Sequence, residues 1–151
     1  MMSKSYKLKT ITNLKSLLSS FILLFSLTGC FEPAPNKPLE STYWRLIELN
    51  SEDSSNISSQ PEVHLVFHIN DNTLHGSDGC NRIQGSYTKD EDQFKFEDII
   101  STRMYCAEGM DQANAFLIAL TQADTIKIEE NYLILYDADI ELARFEAKDE
   151  Y

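Results

Sequence analysis

Positive charge is scarce in this chain of 151 residues, in which 13 Lys and Arg stand against 24 Asp and Glu for a formal net charge of −11. After residue 29 the imbalance is larger, since nine basic residues remain with all 24 acidic ones, a formal charge of −15. Such an acidic surface repels nucleic-acid phosphates and anionic lipid headgroups. The composition therefore argues against a nucleic-acid partner and against a domain that lies flat on an anionic membrane.

Glycine is rare as well, with five in the chain, and the motifs of common enzyme classes are missing from the sequence. There is no Gly-rich phosphate loop, no ordered catalytic triad and no arguable pair of catalytic carboxylates. Asp137-x-Asp139-x-Glu141 resembles the start of a calcium loop, but Leu142 and Lys148 stand where that loop needs Gly and Glu. We therefore expect no catalytic residue, no cofactor and no metal site.

The main apolar run is too short to cross a bilayer as a helix, which takes roughly 20 residues. LLSSFILLFSL (17–27) follows four lysines and leads into LTGC (27–30). This order is typical of a secretory signal peptide, and LTGC resembles a bacterial lipobox, whose cysteine is acylated and becomes the new N-terminus. We predict a lipoprotein signal peptide over 1–29. We also predict that acyl chains such as palmitate are attached to Cys30 and anchor the protein in the lipid bilayer. The alternative is an ordinary signal peptide with an unmodified cysteine.

Three of the four prolines lie in FEPAPNKPLES (31–41), a composition typical of a semi-rigid tether. We therefore predict a lipidated N-terminus and tether over 30–41, one domain over 42–147 and a tail over 148–151. Phe31 is not the Asp that typically retains lipoproteins at an inner membrane. The predicted location is the cell envelope and, in a host with two membranes, the outer membrane facing the periplasm.

Three cysteines are present, and lipid attachment at Cys30 leaves Cys80 and Cys106 as an even pair in an oxidising compartment. Both facts favour a disulfide, which would close a loop of about 27 residues and stabilise the domain by roughly 3–4 kcal/mol. The alternatives are free thiols or a catalytic thiol. A catalytic thiol needs an activating His or helix N-terminus, and His75 is a neighbour of Cys80 in sequence alone.

Alternation of apolar residues predicts a mainly β chain. In EVHLVFHI (62–69), one face is predicted to carry Val63, Leu65, Phe67 and Ile69. The turn signal at 70–72 with TLHGSD (73–78) predicts a hairpin. The other predicted strands span 42–49, 80–88, 93–99, 124–130, 131–137 and 141–147. Residues 51–61 are predicted to form a polar loop.

Between Met110 and Leu120 the apolar residues recur at helical spacing, with Asp111 suited to the first turn. Seven or eight short strands and one helix predict a small antiparallel curved sheet, barrel-like or lipocalin-like, with one packed α-helix. His64 and His68 have the spacing of a helical zinc pair, but on a strand they lie roughly 13 Å apart, too far to share a metal. We expect both to face solvent.

Several motifs together resemble the META domain family, which includes HslJ-like bacterial envelope lipoproteins. The matching residues are TYWRL (42–46) with Trp44, then Gly79, Cys80, Asn81, Gly85 and Tyr87 of GCN-x-x-x-G-x-Y, then STRMYC (101–106) with Thr102, and finally LIL (133–135) and Phe145. The resemblance covers residues 39–147, with Tyr105 departing from the small residue that often precedes the second cysteine. It implies a compact antiparallel β fold and a link to heat or envelope stress, and it implies no reaction.

The motif residues themselves predict structural roles. Gly79 is expected to adopt positive φ, Asn81 to bond nearby backbone and Gly85 to mark a bulge or close approach. The ring of Tyr87 is expected to pack in the core with its hydroxyl on a polar partner. A ligand role for Asn81, Arg82 or Tyr87 is the alternative.

These predictions combine into a non-enzymatic, monomeric envelope lipoprotein that acts through contacts with an unknown envelope protein in envelope or heat-stress tolerance. One alternative is a small-ligand carrier that uses the interior or mouth of a lipocalin-like barrel. Another is a thiol enzyme that uses Cys80.

Overall fold

A computed structural model of the protein describes residues 34–53, 62–90 and 93–148. The predicted signal peptide and Cys30 lie outside the described residues. The described part contains β1 Tyr43–Leu49, β2 Glu52–Asp53, β3 His64–Phe67, β4 Thr73–Ser77, β5 Arg82–Asp90, β6 Gln93–Ser101, α1 Met110–Gln122, β7 Thr125–Glu129, β8 Tyr132–Asp137 and β9 Ile140–Lys148. Within these ranges, no helix has the length and apolar character that a membrane crossing requires.

All nine strands belong to one antiparallel sheet with the order β6-β5-β4-β3-β1-β9-β8-β7, and the short β2 also pairs with β1. Two meanders, β3 to β6 and β7 to β9, therefore flank β1. The sheet curls into a half-barrel whose edge strands approach each other where Phe94 N donates to Asp124 O at 2.8 Å. The predicted mainly β class, curved antiparallel sheet and packed helix are confirmed.

Apolar alternation brings the inward side chains of the strands together with one face of α1. Leu65 and Phe67 of β3 are fully buried, whereas Ile69 follows the end of the strand in a turn and is exposed. The ring of Phe116 in α1 packs on Phe145 of β9 with centroids 6.0 Å apart. These contacts place the core between the helix and the concave face of the sheet.

Part of the predicted tether is bound to the domain. Lys37 N donates to Glu130 O, and Glu130 N donates to Asn36 Oδ1, each at 2.8 Å. Leu39 is buried, and its carbonyl accepts the indole N–H of Trp44 at 2.9 Å. These residues pair with backbone groups of the domain and fill its core. The folded domain therefore starts earlier than residue 42, at which the sequence predicts its start.

Candidate functional site

A buried carboxylate organises the turn between β4 and β5. Asp78 is 1% exposed, and its Oδ1 accepts the backbone N–H groups of Cys80 at 2.8 Å and Asn81 at 2.5 Å. Gly79 between them has φ 89°, the left-handed conformation that glycine adopts without steric cost. The predicted strand over 80–88 therefore begins at Arg82, since residues 78–81 form this turn.

The disulfide predicted between Cys80 and Cys106 is confirmed, with Cα atoms 6.0 Å apart and a sequence separation of 26. It ties the turn before β5 to the segment that follows β6. Both sulfurs are consumed by the bridge, so Cys80 is not the free nucleophile that a thiol enzyme needs.

Asn81 fastens the same segment by hydrogen bonds. Its Oδ1 accepts Met104 N at 2.7 Å and the hydroxyl of Thr102 at 3.2 Å. The hydroxyl of Thr102 in turn accepts Arg82 N at 3.1 Å. The motif residues Asn81 and Thr102 thus hold residues 102–106, named here the stapled loop, against the start of β5.

The other motif residues lie in the sheet and its core, away from the stapled loop. At Gly85 the β5–β6 register shifts, and an added Cβ would lie 2.4 Å from Ile99 Cδ1. The hydroxyl of the buried Tyr87 lies 3.4 Å from Glu40 Oε1, and burial, followed by this carboxylate, raises the pKa of that hydroxyl. Trp44 is fully buried. The geometry of these three residues shows packing and backbone roles.

A groove of about 430 Å³ runs between the stapled loop and helix α1. Its lining comprises Asp78, Asn81, Ser101, Thr102, Arg103, Met104, Tyr105, Met110, Ala113, Asn114 and Leu117. On its rim, Met104 is 61% exposed and Tyr105 is 86% exposed. We name this feature the loop–helix groove; it is the place where the motif around Cys80 reaches the surface.

Four polar side chains of the loop–helix groove make structural hydrogen bonds, namely Asp78, Asn81, Ser101 and Thr102. Asp78 already accepts two backbone N–H groups, and Ser101 Oγ lies 3.4 Å from its second oxygen. No histidine and no free thiol lines this groove. Its apolar rim and occupied polar floor suit contact with another molecule better than proton transfer.

The interior of the half-barrel is filled by side chains in the described part of the chain. Trp44, Phe67, Phe116 and Phe145 are each fully buried there. Two further clefts open on the surface, one of about 480 Å³ between β6 and the α1–β7 junction and one of about 440 Å³ beside β3 and β4. In the interior, a lipocalin-like ligand would compete for space with these four aromatic side chains.

His64 and His68 do not contact each other, as they would at this spacing on a helix. His64 Nδ1 lies 2.9 Å from Glu62 O, and its ring stacks on Tyr43 with centroids 4.5 Å apart. His68 is exposed and lies instead against His75, with Nε2 and Nδ1 2.8 Å apart. Sequence spacing cannot show this contact, because it depends on the register of β3 with β4.

Comparison with known proteins gives the same family and the same kind of fold. The model of the META domain matches residues 37–150. An NMR structure of a protein from Burkholderia xenovorans is similar, with 23% identity and a TM-score of 0.61 over 79% of this chain and 93% of that one. A crystal structure of a DUF4847 family protein from Bacteroides vulgatus ATCC 8482 has 18% identity and a TM-score of 0.54 over 75% and 96%. Among curated proteins none matches.

Proposed function

Because the chain belongs to the META domain family, we propose that it is a lipid-anchored protein of the cell envelope that acts by contacts with another envelope protein. In this proposal the LTGC motif directs acylation of Cys30, and the domain works in envelope or heat-stress tolerance without catalysing a reaction. A host with two membranes would carry it on the outer membrane, facing the periplasm. The charge of −15 after residue 29 supports a domain held clear of anionic lipid.

The observation that carries the proposal is the exposure of Met104 and Tyr105 on a loop that is held firmly. The disulfide at Cys106 and the bond from Met104 N to Asn81 fix the backbone on both sides of Tyr105. Aromatic residues and Met are enriched in protein interfaces. A loop ordered before binding loses less conformational entropy when a partner covers it, so the stapled loop suits recognition.

Site-specific photo-crosslinking in intact cells tests this contact. A benzoylphenylalanine at Tyr105 should give one discrete adduct with an envelope protein, and the adduct should disappear when Cys30→Ala releases the chain. The same probe at Ile140, which is 66% exposed at the start of β9, is the matched control. Equal adducts at both positions, or none at Tyr105, would contradict the proposal. An adduct with twice the mass of the chain would be a crosslinked dimer. It would contradict the proposal that the chain is a monomer in contact with a different protein.

The small-ligand carrier is less well supported, because the described interior is packed with aromatic side chains. Native mass spectrometry of the chain purified in mild detergent distinguishes the two functions. If the chain acts through contacts with a protein partner, the measured mass should equal that of the chain and its acyl groups. A further stoichiometric small molecule would favour the carrier.

A further inference from the structure

The three histidines of the chain all lie on the β3–β4 hairpin or at its ends. His68 N donates to Thr73 O at 2.8 Å, which extends the pairing one residue beyond β3. Because His75 is two residues beyond Thr73, alternation places its ring on the same face as that of His68. The two rings stack with centroids 4.8 Å apart, and Nε2 of His68 shares a hydrogen bond of 2.8 Å with Nδ1 of His75.

The separation of these two nitrogens matches a known coordination geometry. With metal–nitrogen bonds of about 2.0–2.1 Å, two adjacent ligands at right angles lie about 2.9 Å apart, whereas tetrahedral ligands lie about 3.4 Å apart. The hydrogen-bonded nitrogens, 2.8 Å apart, are close to the right-angle value, so a cation that replaces the shared proton needs little change in their separation. A cation with square-planar or octahedral preference could bind both rings after small rotations of the side chains.

The charges around the pair favour a bound cation. Hydrogen bonds from Thr73 lower the pKa of Asp71, and His68 contributes to that shift, so an ionised carboxylate lies near the pair. A net charge of −11 also attracts cations. Arg82, at the other end of the adjacent cleft, is the opposing charge.

We propose that His68 and His75 form a two-nitrogen site for a divalent late first-row cation, with Cu²⁺ bound most tightly, then Ni²⁺ and Zn²⁺. No group of three or more His, Cys, Asp or Glu side chains suited to a metal occurs within 34–53, 62–90 and 93–148. Water completes the coordination, so the cation exchanges readily. This site is separate from the loop–helix groove and does not depend on the proposed partner.

Calorimetric titration of the full chain tests the site. The protein is purified in detergent with an affinity tag free of histidine, stripped with EDTA and titrated with Cu²⁺, Ni²⁺ and Zn²⁺. We expect one Cu²⁺ per chain, with His68→Gln and His75→Gln each binding at least about tenfold more weakly because the second nitrogen adds a large effective concentration. His64→Gln is the matched control and should bind as the wild type does. Equal binding by all four chains would overturn the site.

Electron paramagnetic resonance of the Cu²⁺ complex gives a second readout that a folding defect cannot imitate. The wild-type spectrum should show coupling to two imidazole nitrogens, and each of the two His→Gln variants should show one. Melting curves without metal verify that the variants fold, as expected for the exposed His68. A wild-type spectrum with fewer than two nitrogens, or an unchanged spectrum in both variants, would refute the proposal without reference to stability.

Discussion

At the scale of single residues, the buried Asp78 affects the strand that follows it as well as its own turn. Its carboxylate accepts the N–H groups of Cys80 and Asn81 and so determines where β5 begins. Aspartate is seldom buried unless its oxygens are paired. The Asp-Gly pair predicts a turn, but only the folded structure shows that this side chain enters it.

Asp78→Ala should lower the free energy of unfolding by about 1–3 kcal/mol, because two N–H groups of the turn lose their acceptor. Asp78→Asn, which keeps one acceptor oxygen, should lose less. Urea denaturation followed by circular dichroism measures both changes. The control is Asp90→Ala at the exposed end of β5, for which we expect a change within about 0.5 kcal/mol. Equal losses in the Asp78 and Asp90 variants would contradict this role.

Asn81 shows how far the roles of individual residues could be foreseen. An Asn in a turn predicts bonds to nearby backbone, yet its oxygen accepts Met104 N, 23 residues away. That partner depends on the β5–β6 pairing, which brings Ile83 opposite Ser101. Local chemistry therefore predicts the kind of bond, while tertiary structure selects its partner.

At the scale of secondary-structure elements, Gly76 permits β4 to pack against β3. An added Cβ at Gly76 would lie 2.1 Å from the backbone oxygen of His64, whereas at Gly85 the nearest atom is the end of the Ile99 side chain at 2.4 Å. We expect Gly76→Ala to destabilise at or above the upper end of about 1–3 kcal/mol. Gly85→Ala should cost less, because a side chain can rotate and a backbone carbonyl in a ladder cannot. Chemical denaturation of both variants checks the order, and the reverse order would contradict the explanation.

The disulfide is the second feature at this scale, because it connects the β4–β5 turn to the segment that precedes α1. Reduction, or the double variant Cys80→Ser with Cys106→Ser, should lower the free energy of unfolding by roughly 3–4 kcal/mol by the loop-entropy estimate. Differential scanning calorimetry with and without reductant measures the effect. A reductant applied to the double variant is the control and should change nothing. An unchanged melting temperature on reduction of the wild-type chain would contradict a stabilising bridge.

The elements themselves follow from the sequence to a large extent. Alternation in 62–69 and the helical spacing after Met110 predict β3 and α1, because burial of one face determines both patterns. The helix extends to Gln122, two residues beyond Leu120, the last apolar residue of the predicted helix. The two-residue β2 lies inside a predicted loop, since Glu52 and Asp53 have no strand pattern and become a strand through their pairing with β1.

At the scale of the whole molecule, the proposed anchor predicts where the protein is found. Globomycin should block maturation, and Cys30→Ala should yield a chain without lipid that no longer sediments with membranes, because one acylated cysteine holds an otherwise acidic domain. Fractionation and mass spectrometry of the N-terminus measure both. Cys80→Ser, which leaves the lipobox unchanged, is the control and should stay membrane-bound. Normal membrane attachment of Cys30→Ala would contradict the lipobox interpretation.

The position of β1 between β3 and β9 has a consequence for the order of synthesis. β9 is the last strand of the described chain, yet it pairs along the length of β1, and Arg45 meets Glu146 across that pairing at 3.0 Å. β1 therefore has no partner on its β9 side until residues 140–148 have left the ribosome. Late long-range pairing of this kind favours slow completion of folding. A chain ending at residue 139 is therefore expected to lack the cooperative thermal transition of the full chain.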